Sequence, residues 1–238
     1  MSHKRVAIVQ SSYIPWKGYF DLVRAVDEFI VLDEVQFTKR DWRSRNRIKT
    51  KDGLAWLSIP VVTAGLYHQR ILDATISDGR WALNHWRRIS ASYARTPYFD
   101  RYAPMFEPLY QKPPSDRLSA VNHAFIVRIC EALGIETRIT WSTDYESRAS
   151  RNERLIDLCQ AAGATDYLSG PNARGYLDLP AFRAAGITVR FADYSAYSEY
   201  TQPYSPFEHA VTALDLLFCT GPDALRHMKD LSAACSTA

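Results

Sequence analysis

The sequence predicts an α/β protein with a mostly parallel, doubly wound (Rossmann-like) sheet and an inserted or appended helical subdomain. Two observations lead to this prediction. Short, β-branched apolar segments recur along the chain and are separated by helical patterns, as is typical of parallel sheets. The first of them opens a strand–loop–helix–strand series, the pattern of a right-handed βαβ unit. The length of 238 residues is enough to bury a large core.

The first βαβ unit begins with a predicted strand over residues 5–10, where β-branched side chains precede a Ser-Ser pair. Pro15 then opens a predicted helix over 16–26, because apolar residues recur there at steps of three and four. A second buried strand is predicted over 28–32. The polar pair Asp33-Glu34 follows it.

The same alternation continues along the rest of the chain. In order, we predict a hairpin over 48–62 with its turn at 51–53, a mainly helical stretch over 77–133, a strand over 137–140, a helix over 152–162, a strand over 166–168, a short helix before Gly186 and a strand over 188–191. Pro97, Pro104 and Pro113-Pro114 are expected to punctuate the helical stretch. We predict one domain over 1–231, a helical subdomain over about 77–133, and a loose tail over 232–238.

Composition narrows the class of protein. With 47% hydrophobic and 23% charged residues, the chain reads as globular rather than disordered. No apolar run is long enough to span a bilayer and no hydrophobic leader follows the basic N-terminus, so we expect a cytoplasmic location. The net charge of +3 gives no general attraction to nucleic acid, and nucleic-acid binding is not expected.

Cations are concentrated in residues 39–51, where seven Lys and Arg residues accompany one Asp. One interpretation is a solvated charged segment, which most such runs are. The other is a site for phosphate or carboxylate, in which the planar guanidinium groups of Arg residues form bidentate hydrogen bonds to the anion. Both interpretations stay open from the run alone.

Polar segments follow three of the predicted strands. They are residues 10–20, 33–37 and 169–176. In open parallel sheets, ligands bind beyond the carboxyl ends of the strands. We therefore expect Gln10, Asp33, Arg45 and Ser169 to meet in one solvent-reachable hollow.

Asp33 is the preferred general base, with Glu34 as the second choice, because adjacent carboxylates on an extended chain point to opposite sides. A salt bridge to Arg40, Arg43 or Arg45 is the structural alternative, and a metal-binding role is also open for the pair.

Other residues are candidates for different reasons. Gln10 and Tyr13 carry polar groups that a ligand could satisfy, and Gly18 lets the backbone approach one. Trp16 is a site candidate, although core packing is the preferred interpretation for it. Asp215 lies in an apolar helical run, where a carboxylate needs a partner or a site.

The predicted site combines these segments. The candidate catalytic residues are Asp33, Glu34 and Gln10. The candidate substrate-binding residues are Tyr13, Trp16, Gly18, Tyr19, Gln36, Arg45, Asn46, Lys49, Ser169, Gly170, Asn172, Arg174 and Asp215. The six histidines and four cysteines show no metal-ligand spacing, and no phosphate-binding or dinucleotide fingerprint occurs, so the cofactor stays unknown.

Several blocks resemble the WbqC-like family in the same order, from about residue 6 to about residue 224. They are Gln10-x-x-Tyr13-x-Pro15-Trp16-x-Gly18-Tyr19-Phe20, Leu32-Asp33-Glu34-Val35-Gln36-Phe37, Trp42-x-x-Arg45-Asn46-x-Ile48, Trp56-Leu57-Ser58-Ile59-Pro60-Val61, Arg154-Leu155, Tyr167-Leu168-Ser169-Gly170-Pro171, Tyr176-Leu177 and Asp215-Leu216-Leu217-Phe218. The family often has histidine and proline on either side of the glutamine, where this chain has Val9 and Ser11. Chemistry that used that histidine would have to run differently here.

The resemblance implies a role in surface-polysaccharide or specialised-metabolite biosynthesis. The leading hypothesis is a transferase that moves an acyl or aminoacyl group from a thioester or nucleotide-linked donor to a small-molecule or amino-sugar acceptor. One alternative is a non-catalytic accessory module that binds an acyl or peptidyl carrier protein through residues 39–51. A second alternative is a hydrolase or cyclase of a carrier-bound substrate.

Overall fold

The computed structural model describes residues 3–147, 151–231 and 236–237. Its strands are β1 (Arg5–Val9), β2 (Glu28–Val31), β3 (Arg45–Thr50), β4 (Gly53–Ser58), β5 (Arg138–Trp141), β6 (Asp166–Ser169), β7 (Thr188–Phe191) and β8 (Ser236–Thr237). Its α-helices are α1 (Lys17–Arg24), α2 (Arg80–Tyr93), α3 (Phe99–Gln111), α4 (Leu118–Leu133), α5 (Arg151–Ala161), α6 (Leu179–Ala184) and α7 (Ala213–Thr220).

The main sheet has the order β5-β2-β1-β6-β7-β8. The first five strands in this order run parallel, and β8 pairs antiparallel with β7 at the edge. The predicted mostly parallel α/β sheet is therefore confirmed. The chain crosses to opposite halves of the sheet on either side of β1, so the strand order reverses between β1 and β6. Such a reversal opens a crevice at the carboxyl ends of the two strands.

Both faces of the sheet are covered by helices. Because side chains alternate along a strand, Ala7 and Phe29 point to one face, where they share a core cluster with α1 and α4. Ile8, Ile30 and Tyr167 belong to the opposite face, whose cluster includes residues of α5 and α6. This arrangement explains why the strands read as nearly continuous apolar runs.

The segment between β2 and β5 carries the antiparallel hairpin β3–β4 and then α2, α3 and α4. The helical content predicted for 77–133 is present, but Pro104 does not separate two helices. It lies inside α3 together with Pro108, since neighbouring packing can support a helix that lacks two N–H donors. The division into one domain with a helical subdomain stays a prediction.

Ion pairs lie at the amino ends of strands β2 and β6. Glu28, at the start of β2, accepts hydrogen bonds from Lys4 Nζ (2.8 Å) and Thr140 Oγ1 (2.7 Å). Asp166, at the start of β6, accepts one from Arg190 Nε (2.8 Å). Both carboxylates are buried, and each has a cationic partner that offsets its desolvation.

The predicted loose tail, 232–238, lies outside the described residues apart from 236–237, whose backbone forms β8. Within residues 3–147 and 151–231, no helix is long and apolar enough to cross a membrane.

Candidate functional site

A cavity of about 940 Å³ lies where the strand order reverses. Its floor is formed by the ends of β1 and β6, and its walls come from the segments that follow β1, β2, β6 and β7 and from the start of α5. The lining residues are Ile8, Val9, Gln10, Trp16, Leu32, Val35, Asn152, Arg154, Leu155, Tyr167, Ser169, Gly170, Pro171, Asn172, Ala173, Tyr176 and Tyr194. This volume is in the range of small-molecule and cofactor sites.

The lining of the larger cavity combines uncharged polar groups with apolar surface and carries little charge. Gln10, Asn152, Ser169 and Asn172 offer amide and hydroxyl groups, while the aromatic residues Trp16, Tyr167, Tyr176 and Tyr194 offer flat apolar faces. Arg154 is the charged residue among the lining side chains. Such a surface suits a polar ligand with a ring.

A smaller cavity of about 430 Å³ adjoins the larger one. Val9, Trp16 and Asn172 line both, so the two cavities meet at these residues. The other lining residues of the smaller cavity are Ser12, Pro15, Tyr19, Trp42, Arg43, Asn46 and Ala210.

Arg154 is held at the wall of the larger cavity by a carboxylate. Its guanidinium pairs with Glu34, which also accepts a hydrogen bond from Ser142 Oγ (2.7 Å). Glu34 follows β2, so the ion pair links the end of that strand to α5.

The loop 10–16, which connects β1 to α1, is fixed from several sides. Asn46 Nδ2 donates to the carbonyl oxygens of Tyr13 (3.1 Å) and Ile14 (2.9 Å). Arg43 donates to the carbonyls of Gln10 and Ser11, both at 3.3 Å. Ile14 has a φ of 36°, a conformation that a β-branched residue adopts only when its surroundings impose it.

The described residues contain no group of three or more His, Cys, Asp and Glu side chains arranged to hold a metal ion.

The model of the WbqC-like protein family matches residues 10–227. The chain belongs to this family. Its match begins at Gln10, on the floor of the larger cavity, and includes every other residue of the cavity from Trp16 onward.

The uncharacterized protein Rv1507c of Mycobacterium tuberculosis is similar to this WbqC-like protein along nearly its whole length. The two are 47% identical over 229 residues, which cover 95% of this chain and 99% of the relative. No solved structure matches the chain.

The expected single hollow is only partly present in this WbqC-like protein. Gln10 and Ser169 line the larger cavity, as do Gly170, Asn172 and Trp16. Tyr19 and Asn46 line the smaller one, although the amide hydrogens of Asn46 are used in holding the loop.

Asp33 is not placed to act as a base in either cavity. It is 1% exposed, and one carboxylate oxygen accepts from the backbone N–H of Ser11 (2.8 Å) while the other accepts from Ser119 Oγ. Asp33 follows the end of β2, and its side chain points into the protein, where it joins loop 10–16 to α4.

The basic residues also diverge from the expected anion site. Arg45 stacks over the ring of Trp56 at 4.0 Å and lines a separate depression with Lys39 and Arg40. Lys49 is buried, with its ammonium bonded to the carbonyl of Pro206. Neither lines a cavity of the candidate site, because the hairpin turns these side chains away from it.

Tyr13 and Asp215 are buried in hydrogen-bond networks rather than in the cavities. Tyr13 Oη bonds to His85 Nδ1 (2.9 Å) and Tyr110 Oη (3.0 Å). Asp215 accepts from the hydroxyls of Tyr93 (2.8 Å) and Tyr200 (2.6 Å), and burial raises its pKa. Since both are fully paired within the protein, they position other segments.

Three further candidates lie outside the cavities. Gln36 is exposed and donates to the carbonyl of Tyr67 (2.8 Å). The guanidinium of Arg174 lies 4.3 Å from the ring of Phe191. Gly18 serves packing instead of ligand approach, because a Cβ there would overlap the indole of Trp16.

Among the polar and aromatic residues that line the larger cavity, Asn152, Arg154, Tyr167, Tyr176 and Tyr194 are absent from the candidates chosen from the sequence. Arg154 and Tyr176 stand in blocks that resemble the family, so their order along the chain was an available signal. Asn152 and Tyr194 stand in no such block, and Tyr194 lies in an irregular segment after β7.

Replacing Gly18 with Ala is expected to displace Trp16, one of the three residues that line both cavities, because the new methyl group overlaps the indole. We expect a fall of about 1–3 kcal/mol in the free energy of unfolding and a changed tryptophan emission spectrum. Gly79→Ala is the matched control, since a Cβ there meets no atom within 4 Å. An unchanged spectrum and stability in Gly18→Ala would contradict this assignment.

His85 is expected to make stability depend on pH. Burial, with a smaller contribution from Arg88, lowers the pKa of His85 to about 4 from its usual 6.5. The unfolded chain therefore binds the proton first as the pH falls, and the stability associated with neutral His85 is lost between about 6.5 and about 4. Chemical denaturation at several pH values should show a shallower loss in His85→Gln than in the wild type across this window. If the free energy of unfolding falls equally in both proteins across this window, His85 is not the cause of the pH dependence.

Proposed function

We propose that this protein is a cytoplasmic biosynthetic transferase. It moves an acyl or aminoacyl group from an activated donor, a thioester or a nucleotide-linked compound, to a small-molecule or amino-sugar acceptor. The pathway class that fits is surface-polysaccharide or specialised-metabolite biosynthesis.

The observation that carries the proposal is the pair of adjoining cavities. A group transfer brings two molecules into contact, and the cavities meet at Val9, Trp16 and Asn172. The larger one has the volume for the donor, and the smaller one for a compact acceptor. Holding both partners next to each other converts a bimolecular step into an effectively unimolecular one.

The chemistry assigned to the junction is aminolysis of an activated carbonyl. The acceptor nitrogen forms a bond to the donor's carbonyl carbon, and the bond from that carbon to sulfur or oxygen breaks. The nitrogen loses a proton, and the leaving group takes one up. Gln10 on the cavity floor is proposed to orient the donor. Glu34 lines neither cavity and is proposed to hold Arg154 at the cavity wall through their ion pair.

Donor binding is tested by thermal melting in the presence of nucleotide sugars and coenzyme thioesters, because a ligand that binds only the folded state raises the melting temperature. We expect at least one compound to do so in the wild type but not in Asn172→Trp, whose indole fills the junction. Asn84→Trp is the control, since Asn84 is an exposed asparagine on α2 and lines neither cavity. Equal shifts in all three proteins, or no shift in any, would count against the proposal.

A second candidate function, a carrier-protein-binding module, is favoured by the outer face of the hairpin. Trp42 and Trp56 are 42% and 39% exposed, with ring centroids 5.5 Å apart, and Arg45 and Arg47 lie beside them. Trp42 also lines the smaller cavity. An acidic carrier docked on this face would have its thioester arm next to the acceptor cavity, so the module is compatible with transfer as well as with a purely accessory role.

Carrier docking is tested with a purified acyl carrier protein bearing its phosphopantetheine arm. We expect affinity to fall as salt is raised from about 50 to about 300 mM, and to weaken about tenfold in the double variant Lys39→Glu, Arg40→Glu. The control carries Arg87→Glu and Arg95→Glu, which change equally exposed cations on or just after α2. This function would be excluded if no complex forms, or if the affinity of the complex changes neither with salt nor in the double variant.

A further inference from the structure

Two residues that line the larger cavity each have a buried polar atom without a hydrogen-bond partner among the described residues. They are Oδ1 of Asn152 and Nε of Arg154. Both residues belong to the first turns of α5 and line the cavity. A buried polar atom left unpaired destabilises a fold by about 1–3 kcal/mol, so such atoms at a cavity wall indicate groups that a ligand satisfies.

The neighbours of these atoms fix which hydrogen-bonding role each one has. Asn152 Nδ2 donates to the carbonyl of Tyr176 (3.0 Å), which orients the amide and leaves Oδ1 as an acceptor. The Nη2 of Arg154 pairs with Glu34, so its Nε–H is a donor that does not take part in that pair. The wall therefore presents one acceptor and one donor.

This combination discriminates between ligand groups. A phosphate or carboxylate offers acceptors alone and would leave Asn152 Oδ1 unpaired. An ammonium group offers donors alone and would leave Arg154 Nε unpaired while lying next to a guanidinium. Hydroxyl groups both donate and accept, and a ligand carrying two of them satisfies both atoms.

The remainder of the lining agrees with a hydroxylated ring. Gln10, Ser169 and Asn172 are uncharged hydrogen-bonding residues, and Trp16 and Tyr176 present faces on which a ring can pack. We propose that Asn152 and Arg154 recognise the hydroxyl groups of a sugar or ribose ring in the donor, which makes them specificity-determining residues. This inference rests on the proposed function, because it assigns the class of compound to the donor cavity.

Isothermal titration with four probes tests the assignment: uridine diphosphate N-acetylglucosamine, uridine diphosphate, 2′-deoxyuridine diphosphate and N-acetylglucosamine 1-phosphate. The variants are Asn152→Leu, which removes the acceptor, and Arg154→Lys, which keeps the cation beside Glu34 but lacks Nε. Arg128→Lys on α4 is the matched control, because Arg128 is likewise paired with a carboxylate but lies away from the cavity.

We expect the wild type to bind a hydroxyl-bearing probe, with each variant weakening it about tenfold to a hundredfold and Arg128→Lys having no effect. A ribose ligand is indicated if uridine diphosphate binds about tenfold or more tightly than its 2′-deoxy analogue and the variants abolish that difference. A sugar ligand is indicated if the two nucleotides bind equally and only the sugar-bearing probes respond to the variants. The loss of discrimination separates recognition from a merely structural role, which would weaken all probes alike.

The alternative outcomes are distinct. Binding that Asn172→Trp removes but that neither variant alters would overturn the recognition role of Asn152 and Arg154 and leave the proposed function standing. Binding of coenzyme thioesters without any hydroxylated probe would do the same. If neither the probes nor the thioesters bind, both the inference and the proposed function fail.

Discussion

The candidate site depends on the two hydrogen bonds that the carboxylate of Asp33 accepts. Through one oxygen it holds the backbone of Ser11 in the loop after β1, and through the other it holds Ser119 on α4. Three parts of the fold are thereby joined at the point where the sheet opens. Gln10 and Trp16 belong to this loop and line the cavities, so Asp33, together with Asn46 and Arg43, sets the position of lining side chains.

Much of the fold could be predicted from the sequence, because buried parallel strands leave continuous apolar segments that are easy to recognise. The strand predicted over 188–191 matches β7, and the polar residues at the ends of β1 and β6, Gln10 and Ser169, do reach the cavity. The carboxyl ends of parallel strands lie at the same end of the sheet, and the order of strands and helices along the chain is enough to predict this.

The rest of the site could not be predicted, for two physical reasons. Polarity does not reveal whether a side chain faces a ligand or a buried partner, so Asp33, Lys49 and Asp215 were assigned to the site although each is paired inside the protein. In addition, Tyr194 enters from an irregular segment whose path no periodicity encodes, and Asn152 from the start of a helix. The cationic cluster is dispersed because its members contact different parts of the fold: Arg45 and Arg47 lie against Trp56, whereas the ammonium of Lys49 bonds to the carbonyl of Pro206.

The ion pairs of Glu28 and Asp166 stand at the edge of the sheet opposite the cavities. The ion pairs and the two cavities thus lie at opposite ends of the same strands. The loops at the carboxyl ends of the strands could therefore change during evolution, and the substrate with them. The ion pairs at the amino ends would still stabilise the sheet. Divergence in specificity among homologues should then be concentrated near the carboxyl ends of β1 and β6, with the acidic residues at the amino ends left in place.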